Sequence, residues 1–315
     1  MPKPLKILVI RLSSIGDIVL TTPVVRCLKK QLNAEVHFLT KASFECILTH
    51  NPYVDKLHFM KDGTNTLESE QFDWVIDLHH NMRTHKIKRA LAVPSKSFHK
   101  LNIEKWLMTT FKVNRLPDKH IVDRYLETVA HLGIKNDGQG LDYFLSDEDA
   151  VMDYQELESQ YVAVVIGSQH TTKIMPTEKL IGACKQLKKP IVLIGGKEDA
   201  IRGEQIANAV PNTYNSCGEY SINQSAFLLQ QAERVITHDT GMMHIAAAFK
   251  KEVISVWGNT VPEFGMYPYQ AGSDSRIIEV EGLACRPCSK IGHKKCPKGH
   301  FNCMNMIDEG LFAQE

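Results

Sequence analysis

Short runs of Val, Ile and Leu recur along the chain, each followed by a longer stretch in which apolar residues return every three or four positions. Runs at 6–11, 35–40, 56–60 and 74–78 predict strands, as do runs at 161–166, 191–194, 235–237, 253–256 and 276–280. Continuous apolar runs of this kind suit strands buried on both faces. The periodic stretches at 17–32, 178–188, 200–209 and 224–232 predict helices. Strand alternating with helix predicts an α/β fold of parallel sheets joined by right-handed crossovers. The stretch 146–160 is acidic and lacks a strand pattern, which places a boundary between two domains, 1–152 and 153–315. Two open parallel sheets in one chain are expected to face each other across a cleft. Ligands then sit at the carboxyl ends of the strands, so the loops that follow strands are where chemistry is expected.

Composition narrows the class. The 315 residues suit about two domains at roughly 100–200 residues each. With 43% hydrophobic and 23% charged residues the chain can fill a core and is not a disordered sequence. Lys and Arg number 37 against 36 Asp and Glu, so a whole-chain basic footprint for nucleic acid is absent. No apolar run approaches the roughly 18–20 residues that cross a bilayer. The first strand run starts at Lys6, which leaves no room for a signal peptide and predicts a soluble, cytoplasmic protein.

Two strand-to-helix loops carry candidate chemistry. After 6–11 come Leu12, Ser13, Ser14, Ile15, Gly16 and Asp17. Gly16 permits a tight turn or a close ligand. Asp17 reads either as a helix N-cap or as a carboxylate at a sheet edge, able to act as general base. The loop is not G-x-G-x-x-G, which argues against a dinucleotide-binding oxidoreductase. After 235–237 come His238, Asp239, Thr240, Gly241, Met242, Met243 and His244. Thr240 and Gly241 open a helix whose free N–H groups and dipole form an anion site. Here capping by Asp239 and packing of His244 stand beside diphosphate binding as readings. Lys173 follows the strand at 161–166 and is either a phosphate ligand or solvated. Glu198 and Asp199 follow the strand at 191–194, where a carboxylate suits a ribose diol.

Two further features stand apart. Between 83 and 119 ten basic residues, among them Arg83, Lys100 and Lys105, face only Glu104 and Asp118. Phe98, Trp106, Leu107, Met108 and Phe111 are interleaved. This suits an anionic amphiphile, a membrane surface or single-stranded nucleic acid, or simply a solvated helix face. Of eight cysteines, Cys285, Cys288, Cys296 and Cys303 fall within nineteen residues. Four thiolates so spaced suit a closed, structural zinc site, with His300 able to replace one; a metal-free group of thiols is the alternative.

The run 7–23, ILVIRLSSIGDIVLTTP, resembles the opening of the glycosyltransferase family 9 enzymes, the ADP-heptose:lipopolysaccharide heptosyltransferases. DTGMMHIAAA at 239–248 followed by VWGNT at 256–260 resembles that family's donor signature. FDWVIDLHHNMR at 72–83, TKIMP at 172–176 and the terminal cysteine pattern are similar too. Met175 departs from the family, which commonly has Trp there, and Met242 and Met243 replace more usual residues.

The resemblance implies a GT-B fold, two Rossmann-like domains facing an interdomain cleft, with acceptor on the first and ADP-sugar on the second. It implies inverting transfer of heptose from ADP-heptose to the inner core of lipopolysaccharide, with no metal required, at the cytoplasmic face of the inner membrane. Carried over, Asp17 is the general base, beside Ser13, Ser14 and Gly16. Asn81, Arg83, Lys100 and Lys105 receive the anionic acceptor. Lys173, Asp239, Thr240, Gly241, Met242 and His244 hold the donor diphosphate, and Glu198 or Asp199 meets the ribose or adenosine. Rival readings are a GT-B-like enzyme using or epimerising another nucleotide sugar, and a zinc-containing nucleic-acid-binding module.

Overall fold

The computed structural model describes residues 3–158 and 160–313. The chain divides into two compact units, one of Met1–Lys100 with Lys119–Ser146, the other of Leu101–Asp118 with Asp147–Glu315. The first is built on β1 (Lys6–Ile10), β2 (Glu35–Thr40), β3 (Lys56–Phe59), β4 (Trp74–Asp77) and β5 (Ser95–Ser97). The second is built on β6 (Val162–Val165), β7 (Ile191–Ile194), β8 (Thr213–Asn215), β9 (Arg234–His238), β10 (Glu252–Trp257) and β11 (Arg276–Glu279).

Every strand pair is parallel. The orders are β3-β2-β1-β4-β5 and β11-β10-β9-β6-β7-β8. In the first sheet the chain runs outward from β1 to β3, then returns to lay β4 against the other side of β1. In the second it runs from β6 to β8 and returns to lay β9 beside β6. Each reversal opens a crevice at the carboxyl ends of the two central strands, the position where open α/β sheets bind ligands. The loops after β1 and β4 flank one crevice; those after β6 and β9 flank the other.

The central strands are buried as their continuous apolar runs require. Ile7, Leu8, Val9 and Ile10 of β1 are fully buried, as are Val253 and Ile254 of β10. The helix expected at 17–32 is two helices, Ile15–Val19 and Thr22–Leu32. Pro23 stands in the first turn of the second, where its missing N–H costs nothing.

The segment Leu101–Asp118 belongs to the second unit, which corrects a division at 152. Its helix Asn102–Phe111 packs Met108 against Val261 and Phe264. Lys112 donates to the carbonyls of Pro287 at 2.7 Å and Cys285 at 3.3 Å. Lys105 sits 5.8 Å above the Phe264 ring. The basic stretch is therefore split between the units at Lys100.

Arg26, 1% exposed, is a buried cation of the first unit. Its guanidinium makes two 2.8 Å contacts to Asp137, reaches the Gly140 carbonyl at 2.8 Å and pairs with Asp142. Removing one side of such a buried pair leaves charge uncompensated, which costs about 3–5 kcal/mol. Arg26→Ala is expected to lower stability by that amount in denaturant titration. A variant unfolding at the wild-type midpoint would remove Arg26 from the account of this core.

Candidate active-site residues

The first crevice is organised by Arg11, at the end of β1. Only 8% exposed, it donates to the Ser13 carbonyl at 2.8 Å, the Leu78 carbonyl at 2.6 Å and the Tyr125 hydroxyl at 3.0 Å. Its remaining nitrogen meets Asp17 Oδ1 at 2.6 Å. Asp17 Oδ2 accepts from the Ser14 backbone N–H at 3.2 Å and the Ser14 hydroxyl at 2.9 Å. The N-cap of the helix Ile15–Val19 is Ser14, which corrects the capping reading; Asp17 stands in the first turn and presents a carboxylate at the sheet edge. The side chain keeps 21% of its surface exposed, so it is open to a ligand. Burial pulls its pKa up, but the Arg11 charge and the Ser14 hydrogen bonds outweigh burial and hold it below the usual carboxylate value.

The loop after β4 faces the same groups. Asp77, fully buried, accepts from the backbone N–H groups of His79 at 3.1 Å and His80 at 2.7 Å, from the Thr84 hydroxyl at 2.8 Å, and pairs with Lys88 at 2.9 Å. This fixes the turn that carries His79. The His79 imidazole is pushed down to about 4, by burial first and then by the charges of Arg11 and Lys100. Its Nδ1 is buried with no hydrogen-bond partner among the described residues. Lys100, half-buried, is lowered by burial and by Arg11, against the pull of Asp77 and Asp17. Asp17, Arg11, His79 and Lys100 therefore share one electrostatic environment. Arg11 and His79 were not singled out by sequence; the only available signal was their place at strand ends within family-like motifs.

Other predicted acceptor residues fare differently. Ser13 is half-buried, Ser14 exposed and Gly16 buried in the loop after β1. The Asn81 side chain is occupied as an N-cap, accepting from the N–H groups of Arg83 at 2.9 Å and Thr84 at 3.0 Å. Arg83 projects exposed from that helix. Lys105 lies in the second unit.

In the second crevice Asp239 and Lys173 meet. Lys173 Nζ is 2.6 Å from Asp239 Oδ2 and 3.2 Å from the Asp239 carbonyl oxygen. The Thr260 hydroxyl donates to the same carboxylate at 2.8 Å. Asp239 therefore joins the loops after β6, β9 and β10. Thr240 caps the helix Gly241–Ala248 with extended backbone and no side-chain cap bond. Thr240, Gly241 and Met242 are half-exposed there, at a helix start whose first N–H groups lack intrahelical partners. His244 is 2% exposed, so it lies under the helix start rather than on the surface. Met175 is fully buried; its N–H donates to His238 Nε2 at 3.0 Å, and its carbonyl accepts from Arg202 at 2.5 Å.

Of the two carboxylates after β7, Glu198 is exposed and Asp199 is 8% exposed. Asp199 Oδ2 accepts from Gly196 N–H at 3.0 Å. A Cβ on Gly167 would lie 2.1 Å from the same oxygen. Asp199 thus sits between the β6 and β7 loops, while Glu198 points to the surface. Gly167→Ala is expected to displace Asp199 and distort the Lys173 loop, read as a weaker nucleotide affinity. Unchanged affinity would free this loop of the constraint.

Two clusters offer metal-type ligands. The sulfurs of Cys285, Cys288, Cys296 and Cys303 are free thiols whose residues line one small cavity. His37, His58 and Glu70 hold ligand atoms within 4.8 Å of one another. In that group Lys6, at 3.2 Å, and Lys56 already pair with Glu70. A cation there would compete with two ammonium groups, so it reads as a paired polar core.

The model of the family described as glycosyltransferase family 9 (heptosyltransferase) matches residues 63–298. The chain is 24% identical over 289 residues to lipopolysaccharide heptosyltransferase 1 of Campylobacter coli, covering 81% of this chain and 84% of that one. Among solved structures, a glycosyl transferase family 9 protein from Veillonella parvula superposes with a TM-score of 0.71 at 23% identity, over 86% and 85% of the chains. The E. coli heptosyltransferase WaaC with ADP superposes at 0.66 and 18% identity, over 87% and 92%. The two parallel α/β units are those of the GT-B fold.

Proposed function

Because the chain belongs to glycosyltransferase family 9, the heptosyltransferases, and is thus a glycosyltransferase, we propose that it transfers heptose from ADP-heptose to an anionic sugar of the lipopolysaccharide inner core, with inversion. The observation that carries this reading is the placement of the two family-like loops at the reversal points of the two sheets. One offers a proton acceptor, the other an anion-binding helix start.

In this reading Asp17 takes the proton of the acceptor hydroxyl as that oxygen attacks the anomeric carbon. The bond from that carbon to the diphosphate breaks, and ADP leaves. A single displacement inverts the centre. A carboxylate held at low pKa is a weak base toward a neutral alcohol, so the proton moves late, once the new bond has made the oxygen acidic. Arg11 keeps Asp17 ionised and aimed. Lys173 exchanges its Asp239 partner for the departing diphosphate, joined by the N–H groups at Thr240 and Gly241. The reading gives leaving-group charge to these groups rather than to a metal. His79, Lys100 and Arg83 receive the acidic acceptor.

Asp17 must be ionised to act, so transfer falls as pH drops through its depressed pKa. Its stabilising contribution follows the same sign: present above the unfolded value of about 3.9, it is lost as pH falls through the folded one. Arg11→Met removes the cation, and the acid limb of kcat/KM is expected to move to higher pH. A limb that stays put would exclude Arg11 from setting the base.

The lipid part of the acceptor calls for a membrane-facing surface, and no helix among the described residues is long and apolar enough to cross a bilayer. The helix Asn102–Phe111 buries Met108 and exposes Ile103, Trp106 and Phe111, with Trp106 and Phe111 in edge contact at 5.2 Å. Lys112 and Arg115 follow, both exposed. Apolar residues beside cations suit an anionic bilayer interface. Trp106→Ala with Phe111→Ser is expected to reduce co-sedimentation with anionic vesicles; wild-type binding by that variant would place the contact elsewhere. The donor is tested by thermal shift with nucleotide sugars, since a ligand that prefers the native state raises Tm. ADP-heptose is expected to give the largest rise. A larger shift from a UDP-sugar would favour a different nucleotide-sugar enzyme.

A further inference from the structure

The turn that leaves β10 is held by one short segment. Arg286 Nε donates to the Gly258 carbonyl at 2.5 Å, and Nη2 donates to the Thr260 carbonyl at 3.0 Å and reaches the Trp257 carbonyl at 3.4 Å. Cys288 N–H donates to the Asn259 carbonyl at 3.2 Å. Each carbonyl of 257–260 thus accepts from residues 286–288. The guanidinium also spans to the end of β11: Nη1 donates to the Val280 carbonyl at 2.6 Å, and Nη2 pairs with Glu279 at 2.7 Å. Its side chain is 7% exposed. A planar fork of five N–H donors serves these oxygens together, which a single ammonium does not.

The pinned turn reaches the anion-binding loop through one hydroxyl. Thr260 Oγ1 donates to Asp239 Oδ2 at 2.8 Å, and Lys173 Nζ meets the same oxygen at 2.6 Å. Asp239 is 9% exposed and Thr260 2%. The turn also abuts the loop that carries Lys173: a Cβ on Gly258 would lie 3.1 Å from the Thr172 carbonyl oxygen and 2.5 Å from Met304 Cε. One carboxylate oxygen therefore has two partners, a cation on a flexible stem and a hydroxyl whose backbone is fixed. A buried carboxylate that loses its cation is costly unless another donor stays with it.

We propose that Thr260, fixed by Arg286, is a positioning residue that lets Lys173 leave Asp239 for a diphosphate. Without ligand, ammonium and hydroxyl share the carboxylate. Once the ammonium turns to the phosphate oxygens, the hydroxyl alone keeps Asp239 in place and offsets part of the cost of its burial. In a chain lacking that hydroxyl, Asp239 retains Lys173 more tightly, and the anion binds more weakly although no group that touches it has changed. Arg286 acts one step further back, by fixing the carbonyls on either side of Asn259 and so the direction of the Thr260 side chain. The release of Lys173 rests on the functional reading above; the pinned turn does not.

Calorimetry on the full chain with ADP, inorganic pyrophosphate and adenosine tests this. Thr260→Val keeps the shape of the side chain and removes the hydroxyl. It is expected to weaken ADP and pyrophosphate about tenfold, the effect of one hydrogen bond to a charged group. Adenosine, which carries no phosphate, is expected to keep its wild-type affinity, and Thr260→Ser to restore both anions. In a Lys173→Met background the Thr260→Val step is expected to change ADP and pyrophosphate affinity less than about twofold, because no cation then has to leave Asp239. Arg286→Lys keeps a charge beside Glu279 but loses the fork. It is expected to speed amide exchange at 258–261 and to weaken ADP by a factor similar to that of Thr260→Val. Equal weakening of adenosine, or a Thr260→Val effect of the same size with and without Lys173, would mean a distorted loop and overturn the proposal. Wild-type ADP and pyrophosphate affinity in a Thr260→Val chain folded by circular dichroism would overturn it too. Unchanged exchange in Arg286→Lys would overturn the part given to Arg286. A wild-type chain that binds pyrophosphate but not ADP would strike the nucleotide of the functional reading alone, while the pyrophosphate cycle still decides this proposal.

Discussion

Asp17→Asn is expected to lower kcat for heptosyl transfer by about 10²–10⁴-fold, the usual contribution of a positioned general base, while ADP affinity stays at the wild-type value. The amide keeps the size of the side chain and can still accept a hydrogen bond from Ser14 or Arg11. It cannot take a proton from an alcohol. The change is thus confined to the acceptor side, since Asp17 lies in the first unit and the donor loops in the second. Steady-state transfer kinetics, with ADP affinity by calorimetry, separate the two effects. A variant with wild-type kcat would remove the base from this loop. One that lost ADP binding as well would show a structural role instead.

Lys173→Met is expected to reduce kcat by about 10²–10³-fold, comparable to deleting one preorganised charge stabiliser of a leaving group. Donor affinity should also fall, because the ammonium meets the diphosphate in the ground state too. Lys173 is the cation paired with Asp239, and that carboxylate is only 9% exposed. Its loss leaves Asp239 with the Thr260 hydroxyl. Lys173→Arg keeps the charge and is expected to restore part of the rate. Rescue by Arg, absent for Met, distinguishes charge from packing. If Met and Arg were equally active, charge at this position would play no part in leaving-group departure.

The strands that form the centres of both sheets were readable because burial on two faces demands uninterrupted apolar runs, as in Ile7–Ile10 and Val253–Ile254. β5 and β8 were not. Their residues, Ser95–Ser97 and Thr213–Asn215, are short, polar edge segments without that signature. The base loop and the helix start at Thr240 were readable because both directly follow buried strands and carry Gly with a carboxylate or hydroxyl. Arg11 was harder. Its partners Leu78 and Tyr125 lie 67 and 114 positions away, and such contacts have no local periodicity. The same holds for Leu101–Asp118, whose basic composition suggested the acceptor side. Its place was decided by Met108 meeting Val261 and Phe264. Asp199 and Glu198 could not be ranked from sequence, since one residue's shift along the loop turns a carboxylate from the surface into the brace beside Gly167.

The account stands on two sheet-edge loops serving one displacement at an anomeric carbon. Its most direct test is to incubate the chain with ADP-heptose and an inner-core lipopolysaccharide precursor, then assign the new glycosidic linkage by NMR. The expected result is one heptose joined to the acceptor with the anomeric configuration opposite to that of the donor, together with stoichiometric ADP. A retained configuration, or ADP release that yields free sugar and no linkage, would contradict it.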